Sequence, residues 1–201
     1  FEHFDKQKSD DADSDGARFA RFVEQKDSQL AGFALFQALD QYFASSDQLG
    51  WIGWPQDFQH PENSAVQRFA DEHADEIRFY MWLQWLCAEQ LAVVNQTAAD
   101  AGVRLGMYGD LAVGVSRGAA DTWLNRQDYS LAASIGAPPD PLGPLGQNWQ
   151  LPPLHPVVLQ QTGFQAFIRL LRENMRLYGI LRIDHVMALC RLWWVTGGES
   201  A

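Results

Sequence analysis

Cysteine is nearly absent, with Cys87 and Cys190 the two in 201 residues. Two thiols so far apart supply neither the four-ligand set of a structural zinc site nor the disulfide framework of a small secreted domain. Reduced, buried thiols in a cytoplasmic protein are the expectation. Cations are also scarce: 15 Lys and Arg against 25 Asp and Glu leave a formal charge of -10. That sign repels phosphate backbones and anionic lipid, so no nucleic acid and no membrane partner is expected. No stretch approaches the ~20 uninterrupted apolar residues of a membrane helix. The first fifteen residues are acidic, unlike the basic-then-apolar start of an export signal. What is there is the composition of a folded chain, 47% hydrophobic and 20% charged, with room for one domain and a second small one.

Five aspartates crowd residues 5–16, a run that repels itself and buries little, and residues 1–16 are expected to form an acidic flexible arm. The aspartates lack the closing glutamate of a calcium loop, so no metal is expected there. From Ala17 to Phe43 apolar residues recur at helical spacing, and the polar stretch Lys26 to Gln29 predicts two short helices. Trp51, Trp54, Pro55, Phe58, His60 and Pro61 follow as an aromatic connector whose prolines exclude a helix interior. Its tryptophans fit either of two roles, sealing a gap between helices or stacking on a sugar. Ser64 is placed to cap a helix running to about Asp100, stopped by Ala101-Gly102. The centre of that helix, Phe79 to Trp85, is apolar almost all round and should be covered on several sides.

The second half changes character. Gly102 to Asp110 reads as a short strand with a carboxylate at its end. Seven of the nine prolines then fall between Pro138 and Pro156, in a segment with no period that reads as a long functional loop. A helix over Phe164–Tyr178 ends at Gly179, and Ile180 to Met187 is extended. Strand, loop, helix and strand in that order make an α/β crossover with parallel neighbours. In Leu181-Arg182-Ile183-Asp184-His185, residues two apart share a strand face, so Arg182 and Asp184 point together. A neighbouring guanidinium favours an ionised carboxylate, the state a nucleophile needs. The same pair also fits a structural ion pair at a strand end. The crossover brings Asp110 to the same carboxyl-terminal edge as Asp184, where barrel and open-sheet enzymes build their sites. His185 would face the outer side unless the strand ends at Asp184 and turns.

Three segments in order, Gly109 to Trp123, Ala133 to Trp149 and Leu181 to His185, resemble the 4-alpha-glucanotransferases, also called amylomaltases or disproportionating enzymes. The helical Phe79 to Ala101 region resembles that family too. The resemblance implies a (β/α)8 barrel with helical insertions: a helical insertion subdomain over 17–63 and a partial barrel over 64–201, whose loop 130–156 arches over the cleft. It implies transfer of α-1,4-glucan segments between malto-oligosaccharides with retention, in the cytoplasm, without cofactor or metal. Asp184 would be the nucleophile, Arg182 would hold it ionised, and His185 would bind the sugar at the cleavage point. Asp110 would organise the same subsite. Asp140, Gln147 and Trp149 in the loop would contact donor or acceptor, Trp149 fitting equally a packing anchor that stiffens the loop.

A retaining mechanism also needs a second carboxyl group ~5 to 5.5 Å from the nucleophile. In the family that glutamate lies on the strand after the nucleophile's, and a further essential aspartate comes later. Glu199 is too near Asp184 in sequence to serve, so both groups are expected beyond Ala201. The expectation is therefore a fragment of a glucanotransferase, inactive alone and prone to dimerise or swap through unpaired strand edges. Two other readings stand beside it. One is a non-catalytic carbohydrate-binding or assembly module using Trp51, Trp54 and Trp149. The other is a retaining α-glucan hydrolase.

Overall fold

The computed structural model describes residues 14–44, 50–141 and 143–196, an α/β chain divided into two compact units, 1–92 and 93–201. The acidic arm falls outside the described residues up to residue 13. Its last part is helical: Ser14 Oγ accepts from the Ala17 amide and Asp15 opens helix α1, Asp15–Tyr42. The expected break at Lys26 to Gln29 does not occur. Neither glycine nor proline stands there, and Ser28 and Gln29 lie on the exposed face of one continuous helix.

Helices α2, Ser64–Glu72, and α3, Ala74–Asp100, replace the single helix expected over 64–100. Asn63, with extended backbone, is the residue before the first turn, so Ser64 is the first helical residue and not the cap. The break sits at His73, whose ring stacks on Phe69 at 4.0 Å. Apolar spacing runs on through that break, which is why the pattern hides it. In the first unit the connector tryptophans seal the helices. Trp51 and Trp54 are 6% and 3% exposed, and Trp54 packs on Phe36 and Phe43. They are core residues with no face left for a sugar, which removes two of the three tryptophans assigned to a binding module. The aromatic centre of α3 is less covered than expected: Ile77 and Trp85 are buried, while Phe79 to Leu83 are half-buried. Phe19 closes the unit against Trp85, with the Arg78 guanidinium over its ring.

The second unit holds two sheets. Strand β1, Tyr108–Leu111, pairs parallel with β4, Ile180–Ile183. The connection between them carries α4 (Ala120–Leu124), β2 (Ala133–Ala137), β3 (Gln147–Leu151), α5 (Pro156–Gln161) and α6 (Gln165–Met175). The expected crossover with parallel neighbours is present. The proline-rich segment, however, is not all loop, because β3 returns antiparallel along β2, and β5, Trp193–Thr196, covers the other edge of β2. β2 is buried along most of its length, with Ile135 at 2% exposure, over a core of Trp123, Thr122, Pro152 and Val195. Gly136 permits that closeness, since a Cβ there would lie 2.0 Å from the Gln147 carbonyl oxygen. Beside this core, burial and then the charges of Asp121 and Asp128 push the Tyr129 phenol well above its usual value.

Both cysteines are exposed, contrary to the expectation of buried thiols. Cys87 lies on the open side of α3, and Cys190 follows a 3₁₀ turn over Val186–Leu189. Among the described residues no helix is long and apolar enough to cross a membrane.

Candidate active site

The parallel pair is short, but its register decides what meets. Asp110 on β1 lies directly opposite Arg182 on β4, and the pairing continues past the strand as the Asp184 amide donates to the Leu111 carbonyl. Gly109 makes room for this arrangement, because a Cβ there would strike the Tyr178 ring at 2.2 Å. Arg182 therefore stands between two carboxylates. Its Nη1 donates to Asp110 Oδ2, and its Nη2 donates to Asp184 Oδ1 at 2.7 Å. The hydrogen bond to Asp110, followed by the charges of Asp110 and Asp184, raises the guanidinium above its ordinary value. Arg182, Asp110 and Asp184 are 47%, 56% and 44% exposed, so these pairs add little to folding stability. Their consequence is positional.

β4 does not continue to Met187 as expected. It ends at Ile183, and His185 turns the chain with φ 49 and ψ 57, in the left-handed region where non-glycine residues are uncommon. A continuing strand would send Asp184 and His185 to opposite faces. The turn instead puts both on the wall of one cleft of about 450 Å³, together with Ala112, Val113, Gly114, Trp149 and Leu151. Trp149 meets the His185 imidazole edge to face at 4.9 Å, and its indole N–H donates to Gln147 Oε1 at 2.9 Å.

The sequence candidates separate on this geometry. Asp184, His185 and Trp149 share the cleft, with Arg182 and Asp110 joined to it through hydrogen bonds. Gln147 reaches it through the Trp149 indole. Asp140 stands apart from the cleft wall: its Oδ1 accepts from the Gly143 amide at 2.6 Å, a turn that shapes the loop. Ala112, Val113, Gly114 and Leu151 were not anticipated. The first three directly follow β1, and residues just past a parallel strand's carboxyl end are the signal that would have found them. Among the described residues no cluster of three or more His, Cys, Asp or Glu could hold a metal.

Chemically, a carboxylate opens on a cleft with an imidazole and an indole beside it, a wall that offers a nucleophilic oxygen next to an aromatic face. Asp110 accepts from the same guanidinium, which ties it to Asp184.

The family model described as 4-alpha-glucanotransferase matches residues 1–201. A 4-alpha-glucanotransferase of Haemophilus influenzae is 46% identical over 188 residues, covering 91% of this chain and 27% of the relative. One from Mycobacterium bovis is 38% identical, covering 90% and 24%. The amylomaltase of Corynebacterium glutamicum superposes with a TM-score of 0.74 at 38% identity, covering 92% of this chain and 24% of its own. An amylomaltase from Streptococcus agalactiae, solved with acarbose, shares the fold with a TM-score of 0.83 at 20% identity, covering 93% and 39%. The chain spans about a quarter of the length of these two curated relatives. With a family match from end to end and a similar fold in a relative of 38% identity, this chain belongs to the 4-alpha-glucanotransferase family.

Proposed function

We propose that the cleft is the nucleophile side of a 4-alpha-glucanotransferase site, with Asp184 attacking the anomeric carbon of an α-1,4-glucan. The observation that carries this is the Arg182 bridge between Asp110 and Asp184 at the carboxyl ends of paired parallel strands, with Asp184 open to the cleft. In the first step the glycosidic oxygen leaves with a proton from an acid, and a glycosyl ester forms on Asp184. In the second an acceptor hydroxyl gives its proton to the same group, now a base, and takes the glucan with net retention. His185 and Asp110 bind the sugar at the reacting ring, and Gln147 and Trp149 hold the neighbouring one. Asp140 acts on the glucan through the loop it shapes. β1 and β4 are read as two neighbouring strands of a (β/α)8 barrel over 64–201, preceded by a helical insertion over 17–63 and the acidic arm. Malto-oligosaccharides, glycogen or starch chains are the substrates of this reading, and the unpaired thiols suit the reducing cytoplasm.

No described residue is placed as the acid, so the chain alone is read as unable to turn glucan over. α-Maltosyl fluoride separates the two halves of the proposal, because fluoride departs without needing a proton. Wild-type chain should release about one fluoride per molecule and gain a maltosyl mass on Asp184, while Asp184→Asn should gain none. A folded chain that gives no adduct, or one on another residue, would overturn the assignment. Robust glucose formation from maltotriose would sink the inactivity. Adding maltose to the adduct then separates transfer from hydrolysis.

The same reading includes self-association. Neither strand of the β1–β4 pair has a second partner among the described residues, and Trp193 and Trp194 are 46% and 39% exposed. Sedimentation velocity should show a dimer at high concentration; a monomer throughout would remove this part.

A further inference from the structure

The wall formed by Trp149 depends on an irregularity in the antiparallel sheet. From Ile135 to Gly136 strand β2 advances one residue, while its partners on β3 go from Leu151 to Asn148. Trp149 and Gln150 are thus left without opposite numbers in β2, and Gln150 takes φ 60. Such a bulge bends the strand and re-aims a side chain. In a regular ladder Trp149 would have a β2 partner; here it reaches His185 across the cleft.

An unpaired two-residue bulge needs something to hold its shape, and one side chain does so. Asn148 Oδ1 accepts from the Ser134 hydroxyl at 2.8 Å and from the Gln150 amide at 2.9 Å. Ser134 is buried on β2, at 6% exposure. The first bond therefore ties the bulge to the buried central strand of the sheet, and the second fixes its far end. Because the Gln150 amide can only donate, the atom facing it must be an acceptor, which sets the amide orientation.

We propose that Asn148 is a positioning residue for the reaction: by clamping the bulge to Ser134 it holds Trp149 against His185 and so shapes the sugar site beside Asp184. The kinetic part of this rests on the glucanotransferase reading, whereas the ring contact does not. Two substitutions divide the possibilities. Asn148→Ala removes both acceptor bonds, and Asn148→Asp keeps an oxygen in the same place able to accept both.

The first readout is the His185 ring proton signal in the NMR spectrum of the chain, displaced by the ring current of Trp149 and assigned with Trp149→Leu. Asn148→Ala should return it to the Trp149→Leu position, Asn148→Asp should restore it, and Ser134→Ala should move it part of the way. The second readout is adduct formation from α-maltosyl fluoride. The half-saturating concentration should rise about tenfold in Asn148→Ala, with a smaller change in maximal rate, and stay within about twofold in Asn148→Asp. A His185 signal unchanged in Asn148→Ala, or a displaced one not restored by Asn148→Asp, would overturn the positioning role. If Asn148→Ala does not fold, a Ser134→Ala chain with an unmoved His185 signal overturns it equally. Failure of the wild-type chain to form any adduct would reject the glucanotransferase reading instead, and the ring signal would still decide the clamp.

Discussion

The two sheets of the second unit solve different problems. The β1–β4 pair carries its charged groups in the open, on side chains about half exposed, and holds them by mutual hydrogen bonds. The β3-β2-β5 sheet is buried along its central strand, carries almost no charge and delivers one indole to the cleft. Charge chemistry at this site rests on register, and shape rests on packing. Substitutions should therefore separate the two, the first sheet failing in chemistry without unfolding and the second failing in stability.

The largest effect expected is at Arg182. Arg182→Met leaves Asp110 and Asp184 as like charges without the cation between them, and should slow adduct formation by about 10²- to 10³-fold. Its unfolding transition in urea should stay close to that of the unsubstituted chain, since the pairs are exposed. A stability loss as large as the rate loss would erase the distinction between the sheets. Next comes Gly136→Ala, whose methyl would meet a backbone carbonyl that cannot swing aside, at a cost of about 3 kcal/mol in the same urea titration. Gly109→Ala meets the Tyr178 ring, a side chain able to rotate, and should cost nearer 1 kcal/mol. A reversed order would place the more rigid packing in the parallel pair.

The smallest effect concerns pH. The Tyr129 phenol is raised above its ordinary value of 10.0, first by burial. An acid whose pKa is higher when folded stabilises the chain below its unfolded value and loses that contribution as pH rises beyond it. Stability should thus be flat in this respect up to about pH 10 and fall above, and Tyr129→Phe should lessen the fall. Thermal midpoints measured in steps from pH 8 to 11.5 check this; parallel curves for the two chains would remove Tyr129 as the cause. Arg182, raised further from an already alkaline value, stays charged throughout that range and adds no slope to it.

Much of the parallel pair was legible in sequence because its signals are local. Alternation in Leu181 to Asp184 puts Arg182 and Asp184 on one face, and a helix between two extended runs implies the crossover that brings Asp110 alongside. The antiparallel sheet was not legible. Prolines and glycines on both sides of Gln147–Leu151 mask a strand that is mostly polar, although five residues between Gly146 and Pro152 with a tryptophan at the centre match a strand bounded by turn formers. The His185 turn was left open by the sequence, since nothing in a histidine announces a left-handed backbone. The break at His73 was hidden for the opposite reason, apolar spacing that continues unbroken on both sides. What sequence conveys well here is periodicity, and what it conveys poorly is the single residue that interrupts it.

The Arg182 fork has a meaning for assembly as well. Its two nitrogens reach two carboxylates, one on its own chain segment and one across the ladder, only when β1 and β4 are paired as observed. A slip of one residue would turn Asp110 to the far side of the pair and leave the fork half filled. Lysine, whose three donors sit on one freely rotating nitrogen, would not fix the directions of its two neighbours as the planar fork does. The guanidinium is in this sense a gauge of alignment: the register under which it is fully bonded is also the one observed with Asp184 on the cleft wall, so strand pairing and the placement of that carboxylate arrive as one event.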